Sequence, residues 1–413
     1  MGNTNTKQIT GQQTMLMVLI FFATALNYVD RQVLALLKPT LQAEFHWTDS
    51  NFADLGAAFQ LAAMVALLFV GWFVDRFGVR FAYGAAVGLW SLAGMGHAAS
   101  RTIAQFVMAR VTLAVAESVN TPAAVKASAV YMPLTARSVS LGIVNTAPNI
   151  GAIITPLVIP AFALTYGWHA AFIVTGGLGF VWLAFWILGT RKLEPIVAVQ
   201  AGTRPKVNWG DLLRDKRTWA VAGAKALTDQ VWWFMLFWMP DFFTKVFHMN
   251  QAQIGGPTAV AFVMAALGAL TSGMLFPALL ARGLTINSAR KRSMLLYACL
   301  ILPMPLALSV GSPWTAAVLI GLGLFAHQGF STNIFGMTAD IVPTQRVGSV
   351  MAVGGIAGNL TGTGIIKLTG WSLDHGHGYW PMFATASVSY LLATLFVHIL
   401  LPVITSAEAE AVD

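Results

Sequence analysis

The sequence predicts an all-α polytopic membrane protein whose twelve transmembrane helices form two pseudo-symmetric six-helix bundles. Three observations predict it. First, 57% of the 413 residues are hydrophobic and only 10% are charged, against roughly 25% charged in soluble domains; mean hydropathy is +0.69. Second, many apolar runs approach or exceed the ~20 residues that cross a bilayer core, without the short alternating segments of a β-barrel. Third, the basic residues gather in alternate loops. The formal net charge of +8 therefore reports orientation in a lipid bilayer, and no nucleic-acid partner is expected.

Apolar runs between charged or turn-rich breaks place spans at 13–36, 52–74, 80–99, 104–127, 138–162, 166–190, 219–244, 256–280, 290–310, 313–338, 347–369 and 379–404. The first holds MLMVLIFFATAL followed by NYVDRQVLAL; it is too long for a signal peptide and lacks a clear cleavage site, so a retained membrane helix is expected. Spans 2 and 3 flank the short loop GWFVDRFGVR, and span 4 reads MARVTLAVAESVNTPAAVKAS, mostly small and apolar. Span 5 follows PLTAR, and span 6 contains WHAAFIVTGGLGFVWLAFW. Span 7 carries Lys225 and Asp229, span 9 holds the single cysteine, Cys299, and span 10 contains FAHQGF. One cysteine excludes an intramolecular disulfide.

The longest polar break, 191–218, holds Arg191, Lys192, Arg204, Lys206, Arg214, Lys216 and Arg217. The positive-inside rule makes this loop cytoplasmic and puts both termini of a twelve-span chain there as well. Arg76, Arg80, Arg137, Arg282, Arg290, Lys291, Arg292 and Arg346 fall in the other inner loops; the outer ones show scattered cations such as Lys38, Arg101, Lys245 and Lys367. The expected organisation is a six-helix bundle over 1–190, a cytoplasmic linker over 191–218 and a second bundle over 219–413. An internal repeat supports it. The segment from Pro133, PLTARSVSLGIVNTAPNIGAIITPLV, resembles PTQRVGSVMAVGGIAGNLTGTGI from Pro343, with Asn149 answering Asn359 and Glu117 answering His327 at an offset of about 210 positions. Two such halves are the architecture of a rocker-switch carrier.

GWFVDRFGVR closely resembles the loop motif of the major facilitator superfamily, G-x-x-x-D-[RK]-x-G-x-[RK], matching at Gly71, Asp75, Arg76, Gly78 and Arg80. Gly71 lets helices approach, Gly78 permits a tight turn, and Asp75 at a helix end pairs with cations. Such a set is expected to act as a conformational latch. The second-half counterpart, ARGLTINSARKR, is degraded.

An ionisable side chain at mid-bilayer costs several kcal/mol on most scales and is a functional candidate by default. The candidates are Asp30 and Arg31 in span 1, Arg110, Glu117 and Lys126 in span 4, and Lys225 and Asp229 in span 7. Arg110 and Glu117, two helical turns apart, share a face, and Asp30 is a sensible partner for Arg110. A buried carboxyl whose arginine partner comes and goes gains and loses protons, so Asp30, Glu117 and Arg110 are the proton-coupling candidates. Arg31 offers a planar fork that matches a substrate carboxylate. Lys225 and Asp229 read equally well as a structural i,i+4 pair, and Lys126 near a membrane face can snorkel. Tyr28, Gln60, Asn149, Trp232, Trp233, His327, Gln328, Asn333 and Asn359 supply amides and rings of the kind that bind sugar hydroxyls. His327 can titrate or serve as a neutral hydrogen-bonding group. The dispersed histidines and single cysteine give no metal or cofactor set, and no enzymatic activity is expected; His375 and His377 read as a solvated turn.

NYVDRQVL, GWFVDRFG, ARVTLAVAESVNTPAAVKASAVYMP, WHAAFIVTGGLGFVWLAFW and FAHQGFSTNIFGMTADIVP together resemble the anion:cation symporter branch of that superfamily, most of all its bacterial hexuronate and aldonate transporters. Glu117, Pro122, Ala123, Lys126 and Ala127, then Ala326, His327 and Gln328, follow the hexuronate-type pattern. The resemblance implies proton-coupled import of a monovalent sugar acid. It assigns protonation to Asp30 and Glu117, pairs Arg110 with the span 1 carboxylate, and gives substrate contacts to Arg31, Tyr28 and Asn359; Asn149 falls where a substrate-binding glutamine is found. The expectation is a monomeric proton-coupled carrier of a small organic anion, a hexuronate or related sugar acid, in the bacterial inner membrane. The alternatives are an organic-anion exchanger or a symporter for a non-sugar carboxylate.

Overall fold

The computed structural model describes residues 10–133, 140, 143–144, 146–195 and 209–404. Among them the regular structure is helical, with no strand. In chain order the helices are α1 (Gly11–Leu36), α2 (Lys38–Phe45), α3 (Asp49–Phe77), α4 (Val79–Ala99), α5 (Ile103–Glu117), α6 (Asn120–Tyr131), α7 (Ala147–Tyr166), α8 (Trp168–Thr190), α9 (Trp209–Arg214), α10 (Lys216–Phe247), α11 (Gly255–Ala281), α12 (Ile286–Leu300), α13 (Pro313–Ile341), α14 (Thr344–Asp374) and α15 (Trp380–Leu400), with a 3-10 turn at Met304–Leu308. Nine stretches of the described residues are long and apolar enough to cross a membrane. Leu68, Phe69 and Trp72 on α3, Phe185, Ile187 and Leu188 on α8, and Leu267, Leu270 and Met274 on α11 are exposed. Apolar surface on that scale is tolerated against lipid and not in water. The protein is a multi-pass membrane protein.

Local chemistry sets several boundaries. Thr10 and Gln13 form a capping box at α1, and Thr102 and Gln105 form one at α5, satisfying orphan N–H groups at both starts. The α3–α4 turn rests on Gly78, at φ +78°, a conformation that a Cβ would strain. Span 4, expected to be one helix over 104–127, is broken: α5 ends at Glu117 and α6 restarts at Asn120. Pro122 explains the break, because it has no N–H for the Ser118 carbonyl and its ring crowds that oxygen. Span 9 breaks similarly after Leu300, ahead of Pro303 and Pro305.

The chain forms two compact units. One comprises Met1–Leu37 and Val65–Thr203, the other Lys38–Met64 and Arg204–Asp413. The boundary therefore runs through α3 as well as through the linker, so that residues 38–64 belong with the second unit. In the first unit α1 packs on α7 and α8, while α4 packs on α8 and α5. In the second, α10 packs on α14 and α15, and α11 on α13. Spans 1, 5 and 6 thus meet as spans 7, 11 and 12 do, the pairing that the internal repeat implies. The expected inner-loop residues Arg137, Arg204 and Lys206 lie outside the described residues.

Candidate functional site

In the first unit Asp30, Arg110 and Glu117 are all buried and lie within electrostatic reach of one another. Thr175 on α8 reaches the Asp30 carboxyl. The closest pairing is one that sequence reasoning missed: Arg31 Nε donates to Glu117 Oε2 at 2.9 Å, with the Glu117 side chain 0% and the Arg31 side chain 16% exposed. The Arg31 guanidinium also sits 5.3 Å from the centroid of the Tyr28 ring, a cation–π contact. Glu117 Oε1 is buried with no hydrogen-bond partner among the described residues. The helix break just after Glu117 and the α1 face carrying Arg31 bring this pair together. Asn149, on α7, is buried and its Oδ1 likewise has no partner among the described residues.

Beside this set lies a polar chain that no sequence motif announced. Tyr83 donates to Asn120 Oδ1 at 2.6 Å, and Asn120 Nδ2 donates to Thr24 Oγ1 at 3.3 Å. It ties α4, the restart of α6 and α1 together.

The motif residues close α3 and open α4. Asp75 accepts from Lys126 Nζ at 2.6 Å, and the same ammonium donates to the Val74 carbonyl at 3.0 Å. Lys126 therefore pairs with the motif aspartate, where the sequence suggested that it snorkels. Arg80 Nη2 donates to the Leu193 carbonyl at 2.7 Å, and Trp186 Nε1 donates to the Arg80 carbonyl at 2.9 Å. Gly71 lies one turn before Asp75 on α3, and Arg76 is exposed. In the second repeat Arg290, which answers Arg80 at the offset of about 210 positions, donates through Nε to Asp340 of α13 at 2.8 Å. The degraded motif thus keeps an ion pair that its sequence did not reveal.

In the second unit His327 is buried, stacks on Trp232 with ring centroids 5.3 Å apart, and shares a hydrogen bond of 2.7 Å with the Tyr390 hydroxyl. Tyr390 in turn reaches the Thr228 carbonyl at 3.3 Å. Lys225 and Asp229 pair at 2.6 Å one turn apart on α10. They pack against Gly354 and Gly358 of α14, where a Cβ would lie 2.7 Å from Lys225 Cδ and 2.4 Å from Asp229 Oδ2. Trp233 meets Gly362 one turn further on. The small-residue stripe therefore accommodates this pair, in the manner of close membrane-helix contacts. Gln328 and Asn359 are half-buried. Asn333 is held by Ser272 and the Gly329 carbonyl, both at 3.0 Å, and Gln60 is buried in this unit.

A second network in this unit was also missed. Lys38, expected to be an outer-loop cation, is fully buried, with its Nζ 2.6 Å from both Asp49 and Asp241. The Trp238 ring centroid is 4.6 Å from the same ammonium. Lys245 bridges to Asp49, and Tyr379 donates to Asp241. Burial holds Lys38 below the ordinary lysine range, opposed by Asp241 and Asp49. Lys367 pairs with Asp54. Among the described residues no group of histidine, cysteine and carboxylate side chains could hold a metal; His375 and His377 are exposed and pack on Trp371.

The arrangement sets one guanidinium against a buried carboxyl within a single unit. The hexuronate transporter of Escherichia coli (strain K12) is 26% identical over 409 residues, covering 95% of this chain and 94% of that protein. The D-galactonate transporter of Escherichia coli O6:H1 is 25% identical over 404 residues, covering 92% and 93%. Among solved structures, a bacterial homologue of the human lysosomal transporter Spinster superposes with a TM-score of 0.74 over 95% of this chain and 96% of that one, at 17% identity, which speaks to the fold. Residues 20–366 match the sequence profile of the Major Facilitator Superfamily, and with that match joined to the helical membrane fold and the loop motif, the chain belongs to this superfamily of membrane transporters.

Proposed function

We propose that the protein is a proton-coupled secondary transporter that imports a small organic anion, a hexuronate or related sugar acid, by alternating access. The observation that carries this reading is the Arg31–Glu117 pair. One guanidinium faces two claimants, the Glu117 carboxylate and the carboxylate of a substrate. Protonating Glu117 removes its charge and releases Arg31 to bind the substrate; losing substrate and proton on the other side restores the pair. A carboxyl in a dry site favours the neutral form until a cation returns to it, which suits Glu117 to this exchange. Asp30, beside Arg110, takes a second protonation step in the same reading.

The names of the relatives support the substrate class, since they are carriers of hexuronate and galactonate. Tyr28 and Asn149 in the first unit, and Trp232, His327, Gln328 and Asn359 in the second, offer the rings, amides and imidazole that hydroxyl groups need. Asp75, Arg80 and Lys126 act as the latch of the first repeat. Functionally the chain works as two repeats, 1–190 and 219–413, joined by 191–218, as a monomer. The loop charges favour a bacterial inner-membrane location with both termini in the cytoplasm.

The test uses purified protein in liposomes. Glu117→Gln should abolish accumulation of galacturonate or glucuronate driven by an imposed pH gradient, yet leave substrate exchange measurable. Unchanged accumulation overturns the coupling assignment. Uptake that requires substrate inside the vesicle, with or without the gradient, identifies an exchanger instead.

A further inference from the structure

Away from these clusters, the first unit has a cavity of about 630 Å³ between the α3–α4 turn and the chain leaving α8. Its polar wall carries three cations, Arg80, Arg191 and Lys192, against one anion, Glu194. The Arg80 guanidinium is fixed there by its bond to the Leu193 carbonyl. The first turn of α4 lines the same cavity and has no side-chain cap, so its N–H groups and helix dipole add to the positive field. Phe77 and Phe81 also line the cavity and are 51% and 60% exposed. Phe77 packs on Phe73, Trp72 and Phe81 at centroid distances of 5.2, 6.2 and 5.9 Å. These rings form a ribbon that continues onto the exposed apolar face of α3.

A cationic basin bordered by an exposed aromatic ribbon, at the end of membrane helices, matches a molecule that is a phosphate at one end and a hydrocarbon at the other. A soluble anion would leave the ribbon unused. We infer that this cavity binds the phosphate headgroup of an anionic phospholipid, with an acyl chain laid along Phe77, Phe81 and the α3 face. The bound lipid joins the latch turn to the end of α8, two segments already linked through Arg80. The cations are where lipid recognition by membrane proteins places them, at basic pockets beside transmembrane helix ends.

The experiment measures thermal stability of the full-length protein in detergent with added phosphatidylglycerol, phosphatidylcholine or inorganic phosphate. It uses no transport assay, so its outcome is separate from that of the proposed function. Phosphatidylglycerol should raise the unfolding temperature, while phosphatidylcholine and inorganic phosphate should not. The double variant Arg191→Gln, Lys192→Gln should weaken the phosphatidylglycerol effect about thirtyfold in concentration, from roughly 1 kcal/mol for each basic side chain near an anionic headgroup. A control that neutralises two exposed cations elsewhere, Arg101→Gln with Arg282→Gln, should keep it. An equal response to phosphatidylcholine overturns the inference, as does an undiminished response in the first double variant or an equal loss in both. A response to inorganic phosphate alone overturns the lipid assignment. Native mass spectrometry of co-purified lipid provides a second readout on the same variants: loss of phosphatidylglycerol from the first double variant only is expected, and equal retention in all three proteins overturns the inference.

Discussion

Arg31 and Glu117 stand 86 positions apart and meet through Nε and Oε2 at 2.9 Å inside one compact unit. The pair explains how two ionisable groups coexist in an apolar helix bundle. Each offsets part of the other's desolvation cost. In the proposed cycle the same contact makes protonation and anion binding compete for one cation.

That arrangement predicts a non-additive pair of substitutions. Arg31→Ala leaves the buried Glu117 carboxylate without its nearest cation and should destabilise the protein by about 3–5 kcal/mol. Adding Glu117→Gln removes the orphaned charge and should recover at least half of the loss. Thermal unfolding of the two single variants and the double variant in detergent measures the coupling. A double variant no more stable than Arg31→Ala alone would show that the pair does not govern the site.

The proposed latch contact, Lys126 with Asp75, differs because both partners are partly exposed. Lys126→Met removes the bonds to Asp75 and Val74, and pairs of this kind contribute about 0–1 kcal/mol. The unfolding temperature should scarcely move while the initial rate of substrate uptake changes several-fold, and Asp75→Asn should act in the same direction. An unchanged rate in both variants removes the latch role.

Composition and loop charge made the membrane-spanning helices legible, because apolar runs of membrane length are rare otherwise. Asp30, Arg110 and Glu117 stood out for the same reason. The partner of Glu117 did not. The sequence put Glu117 on one face with Arg110, seven residues away, and offered Asp30 as the partner of Arg110, since periodicity speaks only within one helix; the contact of Glu117 with Arg31 depends on how α1 meets the end of α5. The break at Ser118 was written in Pro122, yet the small residues around it read as a continuous helix. Lys38 resembled a loop cation because its partners, Asp49 and Asp241, come from two other helices. Its burial is a tertiary fact without a local signature.

The Lys38 network yields a prediction with a definite pH sign. Lys38→Met leaves Asp49 and Asp241 with only Lys245 between them and should cost about 3–5 kcal/mol at neutral pH, as breaking a buried pair does. Burial lowers the Lys38 pKa in the folded protein below its ordinary 10.5. In the window between that lowered value and 10.5 the unfolded chain holds more protons than the folded one, so this group's contribution to stability rises with pH. The upward slope should be present in the parent protein and absent in Lys38→Met when unfolding temperature is followed through alkaline pH. Identical slopes would mean that Lys38 titrates normally.

The glycine stripe of α14 gives a test in which two similar substitutions should part company. A Cβ at Gly358 would lie 2.4 Å from Asp229 Oδ2 and 3.0 Å from its Cβ, whereas a Cβ at Gly364 meets nothing within 4 Å. Gly358→Ala therefore has to move Asp229 or push α14 away from α10, and overpacking of this kind costs about 1–3 kcal/mol. Gly364→Ala fills open space and improves helix propensity, so it should be neutral or slightly stabilising. Unfolding temperatures of the two variants distinguish the cases directly. Should the shortened variant Asp229→Ala restore the stability lost in Gly358→Ala, the clash with the carboxylate is its cause; should it not, the helices themselves are too close for any side chain at position 358.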